Sequence, residues 1–338
     1  MIELRTLRGA VDDEETSWIV DLYGPVDSKY ADPLFVRHQF TRNPFGWSLH
    51  VFALEDGRPV GHCALLPMPA RLGGAAAVAG KFEAFAVRPD RQSSTLVDGR
   101  FVGLGILDEL YAQAPEAGFV VVHDLVQPDL GLLHRLHGAH GVSVPWRTFV
   151  GVGDRHALAG LGDARTIAGY AMASLQQGLR MVAAPLSARA VIRTAERGDE
   201  LPRTQDHLAP GEWTIDAADM WDWLLGTGLL AWVEEPSGGR ALVRLPGPAR
   251  QAAELLEWYP GRRPLSGALA TISAVARLGR EGRSVRIGNP SGDPHLRLAA
   301  RLLGFLAARE HLTIYVKSLR QDLDAADVSI TPYFFATF

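Results

Sequence analysis

The segment from Phe85 to Phe101 reads FAVRPDRQSSTLVDGRF. An alternating apolar start, a charged and hydroxyl-rich middle and a return to apolar periodicity predict a β-strand, a loop and a helix, in that order. A phosphate-binding loop is built on this frame, because the first N–H groups of a helix are free and the helix dipole turns its positive end toward the ligand. Yet no glycine stands between Val87 and Val97, and a β-carbon at such a loop blocks the close approach of a phosphate.

Outward from this segment the pattern is regular. Upstream, WSLHVFALEDGRPVGHCALLPMPARL reads as two strands joined by an Asp-Gly hairpin turn, and VAGKFEAFAV as a further strand. The N-terminal IELRTL alternates like an edge strand, and helices are expected over Asp12 to Tyr23 and Pro33 to Phe40. Downstream come a helix of about 95–114, the buried strand GFVVVHDLV, the short helix PDLGLLHRLHG ending at Gly138, and the strand PWRTFVGVG. The order β, α, α, β, β, β, α, β, α, β predicts an α/β unit with a mixed sheet flanked by helices. Residues 151–211 are less regular, with one helix expected near Thr166 to Arg180, and the polar RGDELPRTQDHLAPGEW marks a boundary. Residues 212–338 then repeat the series: hairpin, strand, loop, helix, strand, helix ending in Gly, strand.

Composition sets limits. The chain has 338 residues, 47% hydrophobic and 21% charged, long enough for two ordinary domains. No run approaches the ~20 apolar residues of a membrane span, and the acidic start MIELRTLRGAVDDEE carries no secretion signal, so a cytoplasmic protein with no membrane partner is expected. The single cysteine, Cys63, sits in an apolar strand pattern and reads as a small core residue. The net charge of −4 hides an asymmetry: residues 1–239 hold 20 Lys+Arg against 30 Asp+Glu, and residues 240–310 hold 12 Arg against 5 acids. The 240–310 segment is therefore either an anion-binding surface or a solvated, Arg-laced helix face.

The element order, with EDGRPVGHCALLP, FEAFAVRPDRQ and LLHRLHG, resembles the GNAT superfamily, the Gcn5-related N-acetyltransferases. The resemblance is best over 1–150 and weaker over 212–338, so the chain resembles a tandem GNAT protein. It implies a GNAT-like domain at 1–150, a connecting segment at 151–211 and a second GNAT-like domain at 212–338. Each would hold a mixed, mostly antiparallel sheet flanked by helices. In that family a strand presents backbone groups to the pantetheine arm of the donor, here ending at Val87. The next loop, patterned Arg/Gln-x-x-Gly-x-Gly/Ala, cradles pyrophosphate at a helix N-terminus. Laid on this sequence the pattern starts at Gln92 and puts Thr95 and Val97 at both glycine positions, which predicts weak acetyl-CoA binding by this half. The hydroxyls of Ser93, Ser94 and Thr95 either donate to an anion or cap the helix. In the second half GRRPLSGA takes the same place, with Arg262, Arg263, Ser266 and Gly267.

The resemblance also places chemistry. Glu83 stands where family members often carry the general base; the other reading is an ion pair with Lys81. His134, four residues before Gly138, stands where a Tyr protonates the leaving group; a solvated His-rich helix end, with His137 and His140, is the ordinary alternative. His123 and Asp124 end the buried strand at the sheet edge where open-sheet sites lie, and are expected to touch substrate. No spacing matches a standard metal site. Three functions remain open: an acyl-CoA-dependent N-acyltransferase acting on a small-molecule amine; the same amide chemistry in natural-product biosynthesis with aminoacyl-tRNA as donor, in which case no acyl-CoA is used and tRNA binds the basic 240–310 segment through Arg262, Arg263, Arg277, Arg280 and Arg283; and a non-catalytic binding or scaffold protein.

Overall fold

The computed structural model of the chain describes residues 1–25, 27–72, 75–125, 128–144, 147–151, 175, 185, 190–199, 213–215, 220–246, 253–278, 285–289, 293–308, 312–321 and 328–330. All but residue 175 of the helix expected near Thr166 to Arg180, and also Arg280, Arg283 and the closing TPYFFATF, lie outside these residues.

The chain opens with β1 (Ile2–Gly9), α1 (Asp13–Tyr23), α2 (Pro33–Phe40), β2 (Ser48–Glu55), β3 (Arg58–Leu72) and β4 (Ala75–Val87). It continues through α3 (Val102–Gln113), β5 (Val121–Leu125), α4 (Pro128–Leu136), β6 (His140–Val144) and β7 (Arg147–Gly151). After β8 (Val191–Thr194) and β9 (Trp213–Ile215) come α5 (Trp221–Leu225), β10 (Leu230–Glu234), β11 (Arg240–Arg244) and β12 (Ala253–Tyr259). The last elements are α6 (Pro264–Leu278), β13 (Val285–Asn289), α7 (Pro294–Leu302), β14 (Leu306–Ala308), β15 (Leu312–Ser318) and β16 (Val328–Ile330).

Local chemistry fixes the ends of these elements. Asp12 and Glu15 form a reciprocal capping box on α1, and Asp32 caps α2 with Pro33 in the first turn. Asp56 and Gly57 both take positive φ in the two-residue turn between β2 and β3, the conformation that an Asp-Gly sequence favours in a tight hairpin.

The two compact units are not consecutive in sequence. The first holds Met1–Ser143, Leu201–Gly226 and Thr313–Thr331, and the second Val144–Glu200, Thr227–Leu312 and Pro332–Phe338. The first sheet runs β1-β2-β3-β4-β5-β15-β6, with β9 on the far end of β3 and β16 on β9; the second runs β8-β10-β11-β12-β13-β7-β14. The same spatial order thus occurs twice, and each sheet takes one inner strand from the other half of the chain, β15 in the first and β7 in the second. The sequential division at residues 150 and 212 differs from this, because strand pairing depends on edge geometry and not on closeness in sequence. In the first unit one apolar cluster packs α3 on one face of the sheet, around Val102, Ile106 and Leu110. Another packs α1 and α2 on the opposite face, around Ile19, Val36, Phe40 and Phe52. The second unit packs α6 and α7 in one cluster around Ile272, Val275 and Leu296.

Candidate active site

β4 and β5 pair in parallel over only three residue pairs, from Ala79↔Val121 to Lys81↔His123. Beyond Lys81 no described strand pairs with β4 on that side, while its other edge stays on β3 as far as Gly61↔Val87. Ala84 to Val87 are half-buried and leave one row of backbone groups open. The register slips by a β-bulge at Ala84, whose φ of 60° is unusual for a residue with a β-carbon. Bulges and strained residues of this kind re-aim backbone groups beside binding sites.

Next to this open edge lies a helix start without a cap. α3 begins at Val102, and Phe101 at its N-cap makes no side-chain bond to it. The start is later than the predicted residue 95 because the chain first folds back on itself. Leu96 N–H donates to Arg100 O (2.8 Å), Gly99 takes φ of 85°, and Thr95 bridges to Phe101. Thr95 and Val97 are therefore turn residues, and the hydroxyls of Ser93, Ser94 and Thr95 do not cap the helix. The Arg-x-x-Gly-x-Gly spacing instead falls on Arg100, Gly103 and Gly105. A β-carbon on Gly105 would collide with Leu96 Cδ1, and one on Gly103 would touch Phe85 Cζ at 3.4 Å and Val87 Cγ2 at 3.6 Å. Arg100 is held by Asp98 (2.6 and 2.8 Å) and Asp108 (2.8 Å).

A cleft of about 1180 Å³ joins these features. Its walls are Phe85, Ala86 and Val87 of β4, Gly103 of α3, Gln92 and Arg88 of the loop, and Glu14, Trp18 and Asp21 on one face of α1. Val87 and Gln92, both expected at the donor site, line it; Ser93, Ser94 and Thr95 do not.

Glu83 and His134 do not line the cleft either. Glu83 is buried and saturated: Tyr30 Oη donates to Oε1 at 2.6 Å, Lys81 Nζ donates to Oε2, and Lys29 Nζ lies 3.5 Å from Oε1. Burial would raise its pKa, but Lys81, Lys29 and Tyr30 outweigh that and hold it at about 2, while burial brings Lys81 down to about 8. The carboxylate is thus an ion-pair member with little basicity. His134 is also buried, with Nε2 at 2.9 Å from Asp124 Oδ2 and Nδ1 at 3.0 Å from Tyr111 Oη. With Asp124 as acceptor, Nε2 carries the proton and Nδ1 accepts from Tyr111. The helix end is therefore not solvated at His134. Burial raises the pKa of Asp124, with His134 opposing, and burial followed by Lys81 lowers that of His123 to about 3. Asp124 and His134 come together; His123 and Glu83 flank Lys81, whose charge also acts on Asp124.

Sequence reasoning did not anticipate a buried chain in the same unit: Ser48 Oγ to His50 Nε2 (2.7 Å), His50 Nδ1 to His62 Nε2 (2.9 Å), and His62 Nδ1 to Tyr23 Oη (3.0 Å). Two histidines inside otherwise apolar strands were its only signal. Among the described residues no group of three His, Cys, Asp or Glu could hold a metal ion. No described helix is long and apolar enough to cross a membrane.

In the second unit α6 starts at Pro264, so the counterpart spacing is Arg262, Leu265 and Gly267, with one glycine replaced. Arg262, Arg263 and Ser266 line a separate cavity of about 550 Å³ in which Glu235 takes part. Arg277 is in the last turn of α6, about 20 Å along the axis from the first turn, so it does not share a surface patch with Arg262 and Arg263.

No protein-family model and no curated protein sequence matches the chain. Solved structures do. A tandem GNAT protein from the clavulanic acid biosynthesis pathway, without AcCoA, superposes with a TM-score of 0.58 at 16% identity over 94% of this chain and 98% of that one. The fold is the GNAT fold, in tandem. A probable N-acyltransferase from Enterococcus faecalis gives a TM-score of 0.55 at 12% identity, over 96% of this chain and 74% of that one. The N-myristoyltransferase of Saccharomyces cerevisiae with bound myristoyl-CoA gives 0.56 at 12%, over 97% and 84%. At such identities the likeness is one of fold.

Proposed function

We propose that the chain is an acyl-CoA-dependent N-acyltransferase acting on a small-molecule amine, with its donor site in the first unit. The observation that carries this reading is the open edge of β4 beside the uncapped, glycine-bearing start of α3. An unpaired strand edge suits the amide groups of a pantetheine arm. Free N–H groups at a helix start suit pyrophosphate, and Gly103 lets it come close. The solved acyltransferases of this fold, one with bound myristoyl-CoA, support the same donor class.

In this reading the acceptor's ammonium group first gives a proton to water, the neutral amine nitrogen attacks the thioester carbonyl, the C–N bond forms, the C–S bond breaks, and the second amine proton goes to the departing thiolate. Backbone N–H groups at the bulged end of β4 stabilise the developing oxyanion. Glu14 and Asp21 on the facing wall favour a cationic amine. Glu83 and His134 act as positioning residues: Glu83 fixes Lys81 and Tyr30 behind the bulge, and His134 ties α4 to β5 and α3.

The test is calorimetric titration of the full chain with acetyl-CoA and, separately, with aminoacylated tRNA. Acetyl-CoA should bind, and Gly103→Glu should weaken it by roughly a hundredfold or more, since like charges at a binding site cost several kcal/mol. A carboxylate in the first turn favours the helix, so the variant should fold. Binding of tRNA with none of acetyl-CoA would overturn the donor assignment, and absence of turnover with any amine would return the chain to a binding role.

A further inference from the structure

Glu235, the first residue of the turn between β10 and β11, sits in the small-residue start of the second unit's helix. The residue is only 6% exposed. It accepts from Ser237 N–H and Gly239 N–H, both at 2.7 Å, and from the Ser237 hydroxyl. A turn carboxylate needs no more than these partners. Here, however, glycines from two further segments also close on it. A β-carbon on Gly261, after β12, would collide with Oε1, as would one on Gly239, and one on Gly267 of α6 would lie 2.9 Å from it. The backbone is thus pared to glycine on three sides of one anionic group, while the adjoining cavity presents Arg262, Arg263 and Ser266. Neither arginine makes an ion pair among the described residues.

We propose that Glu235 is a resident internal anion that keeps the second unit's counterpart of the donor loop filled, so that the chain takes acyl-CoA in its first unit alone. With the carboxylate removed, the cradle left behind has the chemistry to take a pyrophosphate-type anion: freed turn N–H groups, a serine hydroxyl, glycine walls and two guanidinium groups without an ion pair among the described residues. The identity of the counterpart rests on the donor reading of the first unit, but the comparison that tests it does not.

The experiment is calorimetric titration of the full chain with inorganic pyrophosphate, read as a difference between variant and wild type. Glu235→Ala should raise the binding stoichiometry by one relative to wild type, and adding Arg262→Ala should weaken the new site by roughly tenfold or more, the usual worth of a charge-assisted hydrogen bond. Should Glu235→Ala fail to fold, Glu235→Gln keeps the shape and removes the charge, and pyrophosphate should then raise its melting temperature more than that of wild type. Equal stoichiometry and equal thermal shifts in wild type and variant would overturn the proposal, as would a new site indifferent to Arg262→Ala. Failure of acetyl-CoA to bind the first unit lowers the wild-type count and leaves this difference intact.

Discussion

In the first unit α3 starts as Arg100-Phe-Val-Gly103-Leu-Gly105, and no side chain caps it. In the second, α6 starts as Arg262-Arg-Pro-Leu265-Ser-Gly267, and Glu235 lies against Gly267. The strands leading to both helices are alike: β12 pairs with β13 in parallel over three pairs, as β4 does with β5, and each carries a bulge against its hairpin partner. The hairpins differ. Glu55↔Arg58 leaves a two-residue turn in the first unit, whereas Glu234↔Arg240 leaves a longer turn that supplies Glu235. One helix start carries no side-chain cap, and beside the other lies Glu235, bonded within its own turn and set against Gly267, on the same scaffold. Two of the buried glutamates, Glu83 and Glu235, sharpen the contrast. Glu83 is neutralised by lysines behind the open site, and Glu235 is satisfied by neutral N–H and O–H groups inside the closed one.

The largest effect expected from that contrast is on stability. Glu83→Ala leaves Lys81 buried without its carboxylate, a loss of about 3–5 kcal/mol, whereas Glu235→Ala leaves neutral donors unpaired, about 1–3 kcal/mol. Urea unfolding of both variants checks the order. Equal losses would show that the lysines contribute nothing particular to Glu83.

Those same residues show how far the sequence could be read. The Asp56-Gly57 turn, the helix over Pro33–Phe40 and the doubled element order follow from local chemistry and periodicity, and each recurs in the structure. The start of α3 was not local in this sense. Residues 95–101 look helical by apolar spacing, but Gly99 and the Asp98–Arg100 contact turn the chain back first. The pattern laid from Gln92 therefore missed Arg100, Gly103 and Gly105, whose own spacing was the available signal. The exchange of β7 and β15 between sheets leaves no trace in composition, because a strand's pattern records that it is buried and not which edge it joins. At Glu83 the sequence offered Lys81, two residues away, but not Tyr30 and Lys29, which lie far from it in sequence and complete its partners.

A somewhat smaller effect concerns acid. The pKa of Glu83 is held at about 2, below the ordinary 4.5, so its contribution is fully present above about pH 4.5 and is lost as the pH falls toward 2. The full shift corresponds to about 3 kcal/mol. Urea midpoints measured from pH 6 down to pH 2 should fall steeply in wild type and less in Glu83→Gln. Parallel curves would mean that Glu83 is not held ionised by its lysines, and the contrast with Glu235 would lose its electrostatic half.

The smallest effect bears most directly on whether the first helix start is open for a reason. Phe101 sits at the N-cap of α3 with its side chain 53% exposed and no bond to the helix. Serine there can accept from an N–H in the first turn, and such a cap is typically worth about 1 kcal/mol. Phe101 is more than half exposed, and Phe101→Ser, which gives up the packing of the rest of the ring, should raise the stability of the chain by at most that amount. If the same N–H groups take the donor's pyrophosphate, the serine competes with it, and acetyl-CoA should bind several-fold more weakly, in keeping with the ~1 kcal/mol gained by the cap. The two measurements, a melting curve and a calorimetric titration, must therefore move in opposite directions. A variant that gains stability and keeps its affinity would place the phosphates elsewhere, and the uncapped start of α3 would then be a defect of the helix and no counterpart to the filled start of α6.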